Sequence, residues 1–191
     1  SQSNSGHFSK FARSMSASWV QRYQLRGKTV LEIGCGHGDF LHLMAEDGIG
    51  KGIGLDPNLA LPSTARTKTS GVGSAQVVHL HARRFDAALA LSSSDADAAL
   101  VDADAVVCRH TLEHIGNLHF FLCGLAHWAR QKPQRMVLLE VPATERILDG
   151  LAFWDVYYEH CNYFTAESLK HAFALAGFEV QRAECVYDGQ Y

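Results

Sequence analysis

Hydrophobic positions along the chain switch repeatedly between helical spacing and short apolar runs, the alternation that a doubly wound α/β sheet requires. Phe8, Phe11, Met15, Trp19 and Tyr23 recur at steps of three and four. That stripe predicts a leading helix packed on the domain, and only secondarily a lid over a ligand. A first strand is expected at Thr29–Ile33, a helix over 39–47 closing at Gly48, and a second strand over 52–55. Residues 61–76, rich in Ser, Thr and Gly, read as a mobile loop before a third strand at 77–80. Residues 83–91 read as helical and 92–97 as a surface linker. A fourth strand is expected at 105–108, a helix over 118–129, a fifth strand at 136–141, a helix capped by Thr165 and ending at Gly177, and a final strand over 178–186. No internal repeat is present, and residues 1–6 read as a disordered end.

The first strand runs into Glu32-Ile33-Gly34-Cys35-Gly36-His37-Gly38-Asp39. Glycines at alternate positions permit positive φ and remove the β-carbons that would hold a ligand away from the main chain. The dinucleotide fingerprint is Gly-x-Gly-x-x-Gly, whereas here the third glycine comes one residue early and Asp39 stands in its place. The spacing disfavours a nicotinamide dinucleotide. The second strand ends in Asp56-Pro57, about twenty residues after the turn, where a nucleoside-binding βαβ unit places the acid that accepts ribose hydroxyls. Asp before Pro also starts turns, so a simple capping role is the alternative for Asp56.

Composition adds boundaries. The 191 residues, 47% hydrophobic and 19% charged, fit one globular domain. A net charge of -3 gives no footprint for nucleic acid or an anionic membrane. No apolar run reaches the length of a membrane span and no secretory signal is visible. Five cysteines, an odd number spread along the chain, fit a reducing cytoplasm better than a disulfide framework.

The glycine turn resembles motif I of the class I S-adenosyl-L-methionine (SAM) dependent methyltransferases. Cys108-Arg109-His110-x-Leu112-Glu113-His114, Leu139-Glu140-Val141-Pro142 and the segment from Phe153 to Thr165, Phe-Trp-Asp-Val-Tyr-Tyr-Glu-His-Cys-Asn-Tyr-Phe-Thr, are similar to the sugar C-methyltransferases. That family methylates carbon on nucleotide-linked keto sugars. The resemblance spans nearly everything from Val30 to Tyr191. It implies a Rossmann-like, mostly parallel sheet with helices on both faces and strand order 3-2-1-4-5-7-6, the last antiparallel strand falling at or beyond the chain's end. It implies SAM as cofactor, held by Glu32 near the cationic methionine part, by Gly34, Cys35, Gly36 and Gly38, by Asp56 and Pro57, and by Arg109 and His110 at the end of the fourth strand. Residues 1–28 form a leading end and helix, and 29–191 the SAM-binding domain. The family carries a cysteine-rich zinc module in front and a further domain behind, absent here, so the chain is a fragment or a pared-down relative.

Carbon methylation needs a base to remove a proton α to a carbonyl, with the methyl held in line about 3 Å away. Histidine suits that task near neutral pH. We therefore expect His160 as general base, Glu159 as its supporting carboxylate and Tyr158 as hydrogen-bond donor to substrate, provided 157–163 is a loop. The alternative is an aromatic loop packed on the core with a satisfied histidine. His110 and His114, four apart, would share a helix face as metal ligands do, with Cys108, Cys35 and His37 near. No third ligand follows at a recognised spacing and methyl transfer needs no metal, so no metal is assigned. The expected partner is a small-molecule acceptor, with no nucleic acid and no membrane. Two other classes stay open: an NAD-linked oxidoreductase, and a SAM-binding module without catalytic competence.

Overall fold

The computed structural model describes residues 6–59, 68–70, 76–92 and 94–191. Its centre is a six-stranded sheet of β1 (Thr29–Ile33), β2 (Lys51–Leu55), β3 (Lys68–Ser70), β4 (Gln76–His81), β5 (Ala105–Arg109) and β6 (Met136–Glu140), ordered β3-β4-β2-β1-β5-β6. Five strands are parallel, and β3 adds antiparallel to β4 at one edge. The order of the five parallel strands is the expected one, and the fold is the Rossmann-like α/β sheet. Among the described residues seven α-helices accompany it: α1 (Gly6–Arg22), α2 (Asp39–Glu46), α3 (Ala87–Leu91), α4 (Asp95–Val101), α5 (Leu118–Arg130), α6 (Glu145–Gly150) and α7 (Ala166–Leu175).

Alternation along the strands divides the core into two layers. Leu31, Ile33, Ile53, Leu55, Val106 and Cys108 pack toward α3, α5 and α7. Val30, Val78, Leu80, Ala105 and Val107 pack toward α1 and α2. Parallel strands covered on both faces read as continuous apolar runs, which is why β5 is buried at every position. Among the described residues no helix is long and apolar enough to cross a membrane.

Several expectations are corrected. The 92–97 linker contains the start of α4: Ser94 accepts the Asp97 N–H, and Asp95 and Asp97 occupy the first turn, where acids favour a helix. The expected final strand at 178–186 has no strand pairing. It faces the β6 edge across a groove of about 450 Å³ lined also by α1 and α7. Phe178 packs on Phe173 of the core, but Val180 is left 38% exposed. The expected mobile loop at 61–76 lies largely outside the described residues, apart from β3 and the first residue of β4, and residues 1–5 of the expected disordered end lie outside them too. The capping box at Thr165 is present, with Thr165 Oγ1 accepting the Ser168 N–H and Ser168 Oγ the Thr165 N–H.

Candidate functional site

Parallel sheets gather the ends of their strands at one edge, and here the glycine turn, Asp56, Arg109 and Glu140 all meet there. The turn is held open by close packing. Gly34 (φ 73°) donates to Leu55 O at 2.8 Å, and a β-carbon there would lie 2.0 Å from Thr111 Oγ1. Gly36 (φ 52°) is different: a β-carbon there meets no atom within 4 Å, so its bare peptide faces open space. Gly38, also left-handed, caps α2. Cys35 is buried, its Sγ directed back at Gly36 O, while Pro57 is exposed beside the turn.

Asp56 ties the turn to β2. Its Oδ2 accepts the Gly36 N–H at 3.0 Å and its Oδ1 accepts the Asn58 N–H at 2.8 Å. The capping role weighed for Asp56 is thus real, and the carboxylate also stands beside the open glycine. Glu32, next to last in β1, is 3% exposed on the α2 face, with Oε2 buried and unpartnered. Burial pushes its carboxyl up to about 8, against the pull of Arg109. A buried carboxylate oxygen with no donor is a position that a cationic ligand would satisfy.

Arg109 is more enclosed than expected. Its Nε and Nη2 donate to Glu140 Oε1 at 3.1 and 2.7 Å, and its guanidinium lies 4.0 Å over the Phe40 ring. His110 takes the left-handed conformation (φ 48°), rare for a residue with a β-carbon, and its N–H donates to Glu140 O. Its Nε2 stands 2.6 Å from Glu140 Oε1. Burial alone would raise the Glu140 carboxyl; His110 and Arg109 outweigh it and hold the group below the usual carboxylate range. Sequence reasoning missed Glu140, although the available signal was the one used for Asp56, an acid ending an apolar strand.

Beyond His110 opens a cavity of about 340 Å³, lined by residues that include Glu113, His114, Tyr157, Glu159, His160 and Tyr163. Two turns far apart in sequence are stitched together here. Cys161 and Asn162 donate their N–H groups to Glu113 O at 2.8 and 3.1 Å, and Asn162 Nδ2 donates to Ile115 O at 2.8 Å. The segment around His160 is a loop, as its proposed chemistry required, and both Glu159 and His160 reach the cavity. Tyr158 does not: it is fully exposed, while Tyr157 and Tyr163 take the inward positions. Adjacent side chains diverge on an extended turn, so one tyrosine of the pair must face away. His160 Nδ1 is buried with no hydrogen-bond partner, so Glu159 does not orient it through that nitrogen. Burial, then the neighbouring His114, lower the His160 pKa below its ordinary value.

The His110/His114 helix face weighed as a metal site does not form. Residues Leu112–His114 make one 3-10 turn, and His110 is turned away to Glu140. Cys108, Cys35 and His37 lie outside the cavity lining.

This turn-and-acid edge on a parallel sheet is the architecture of a class I methyltransferase. Residues 8–183 match the family described as Methyltransferase domain, and the chain belongs to that family. It is a SAM-dependent methyltransferase domain. No curated protein matches it in sequence. Among solved structures, it resembles a protein assigned as a methyltransferase in complex with the Haloferax volcanii Trm112 methyltransferase activator. That pair has 18% identity and TM-score 0.60, over 94% of this chain and 79% of the other. It also resembles magnesium protoporphyrin IX methyltransferase from Synechocystis PCC 6803 with bound S-adenosylhomocysteine, at 17% identity and TM-score 0.54, over 91% and 74%. The YcgJ protein of Bacillus subtilis is similar at 14% identity and TM-score 0.56, over 87% and 68%. At such identities the likeness is one of fold.

Proposed function

We propose that the chain methylates carbon on a small keto acceptor, of the nucleotide-linked keto-sugar type, held in the cavity at the end of β5. The observation that carries this reading is the meeting of His160, Glu159 and Tyr157 in one cavity that also reaches His110, itself beside Arg109. SAM is held by Glu32, the turn residues Gly34, Cys35, Gly36 and Gly38, and Asp56 with Pro57, and bordered by Arg109 and His110. The unpartnered Glu32 oxygen and the open space at Gly36 fit such a ligand. When bound, its sulfonium supplies an electrophilic methyl and departs as S-adenosylhomocysteine.

His160 takes the proton α to the acceptor carbonyl, with its neutral form favoured by burial. Glu159 at the cavity wall favours the imidazolium that results. The enolate carbon then attacks the methyl in line. Residues 29–191 act as the SAM-binding domain, with 1–28 as a leading segment. The test is exchange of the acceptor's α-proton with solvent deuterium on a panel of nucleotide-linked keto sugars, followed by mass analysis of the methylated product. Exchange and carbon methylation by the wild type, both lost in His160→Ala, are expected. Methyl transfer to oxygen or nitrogen with no exchange at carbon would refute the carbon-methylation reading.

A further inference from the structure

We propose that Glu113, His114 and His160 form a binding site for a divalent first-row transition ion, with Zn²⁺ as the typical occupant, on the wall of the acceptor cavity. One ligand atom from each lies within 4.8 Å of the others. Atoms sharing an ion at about 2.0 to 2.2 Å stand up to roughly 4.4 Å apart, so small side-chain adjustments close the set. Glu113 is 2% exposed, and its Oε2 is buried without a partner. His160 Nδ1 is a second buried atom without one. Two unpartnered buried atoms that can each offer a lone pair, on residues of one cluster, are satisfied together by a cation.

His114 supplies the third lone pair. Its Nδ1 lies 3.0 Å from Glu159 O, and a carbonyl oxygen only accepts, so Nδ1 carries the proton and Nε2 is free to ligate. Metal-ligating histidines characteristically donate the other ring N–H to such an oxygen. The bonds from Cys161 and Asn162 to Glu113 O hold both turns in place before any ion arrives. Two imidazoles and one carboxylate, leaving a coordination position toward the cavity, are the donor set of Zn²⁺ and its neighbours rather than of Ca²⁺ or Mg²⁺. Sequence spacing hid the set because His160 is remote from the Glu-His pair along the chain.

This inference goes beyond methyl transfer and is independent of the acceptor. With an ion bound, His160 is a ligand and takes no proton, so loading blocks any turnover that depends on His160 as base.

The test uses the full chain after chelator treatment, titrated with Co²⁺ as a visible-absorbing probe and with Zn²⁺ while thermal melting is followed. The wild type is expected to bind one Co²⁺ and to melt higher with Zn²⁺. Glu113→Gln and His160→Gln are each expected to weaken binding by at least about tenfold and to lose the melting rise. Retained S-adenosylhomocysteine binding by calorimetry shows that these variants are folded. His119→Ala removes half of an exposed His119/Cys123 pair, whose Sγ and Nε2 are 3.7 Å apart, and is expected to keep wild-type Co²⁺ binding. No saturable binding by the wild type, or wild-type affinity in both Glu113→Gln and His160→Gln, would overturn the proposal.

Discussion

Adding one methyl group at Gly34 and at Gly36 should damage the protein in two different ways. Both glycines sit at positive φ, where an L side chain costs about 1 to 2 kcal/mol. At Gly36 nothing else opposes the new β-carbon, because no atom lies within 4 Å. Gly36→Ala should therefore lower the melting temperature by roughly 2 to 8 °C for a chain of this size. At Gly34 the β-carbon would lie 2.0 Å from Thr111 Oγ1 and 2.8 Å from Thr111 Cβ. Rotating the threonine moves the first atom but not the second, so the backbone itself must shift. Overpacking of that kind adds about 1 to 3 kcal/mol, a total of about 2 to 5 kcal/mol for Gly34→Ala.

Ligand binding should rank the pair the other way relative to stability. The methyl at Gly36 fills the space proposed for SAM against bare peptide, so affinity for S-adenosylhomocysteine should fall by about tenfold or more in a variant that remains well folded. Differential scanning fluorimetry gives the melting order, and calorimetry well below both midpoints gives the affinities. Wild-type affinity in Gly36→Ala would remove the cofactor from the turn. A melting temperature for Gly34→Ala no lower than that of Gly36→Ala would refute the packing reasoning.

Asp56→Ala should weaken S-adenosylhomocysteine binding by about 1 to 3 kcal/mol in calorimetry. Asp56→Asn, which keeps an acceptor for the Gly36 and Asn58 N–H groups, should recover the turn but not the charge; full affinity in Asn would remove the ribose role. His160→Ala should leave cofactor affinity nearly unchanged and reduce turnover on a confirmed acceptor by roughly 10²- to 10⁴-fold; equal turnover would end the base assignment. The Glu32 carboxyl, raised from 4.5 to about 8, holds a proton in the folded chain that the unfolded chain has released. Between those values the folded state binds more protons, so stability should fall as pH rises. Glu113, also raised by burial, acts in the same direction. Thermal melts of ligand-free protein should show this fall and a shallower one in Glu32→Gln; identical slopes would show that Glu32 is not the titrating group.

Local information was enough for the five parallel strands and for the glycine turn and the acid that follow β1 and β2, though not for β3. Runs such as Val30 to Ile33, apolar except for Glu32, and Ala105 to Cys108, each followed by glycine or a polar turn, specify buried parallel strands. The turn after β1 and the acid after β2 follow from the chemistry of positive φ and of a nucleoside ligand. Short-range patterning also located α5 and the Thr165 cap, because a helix start is decided within four residues.

What tertiary structure alone decided was proximity. The 159–162 turn reaches Glu113 through hydrogen bonds that no spacing announces, and only this brings His160 beside His114 rather than beside the carboxylate of Glu159. His110 and His114 read as a helical pair, yet both line the cavity from a strand end and a 3-10 turn, and the left-handed backbone at His110 aims its ring at Glu140. The alternating segment at 178–186 reads as a strand, but a strand needs a partner edge at hydrogen-bonding distance, and packing leaves a groove there instead. Periodicity is a property of neighbours along the chain. A site is a property of neighbours in space, and here they were assembled by backbone bonds between turns.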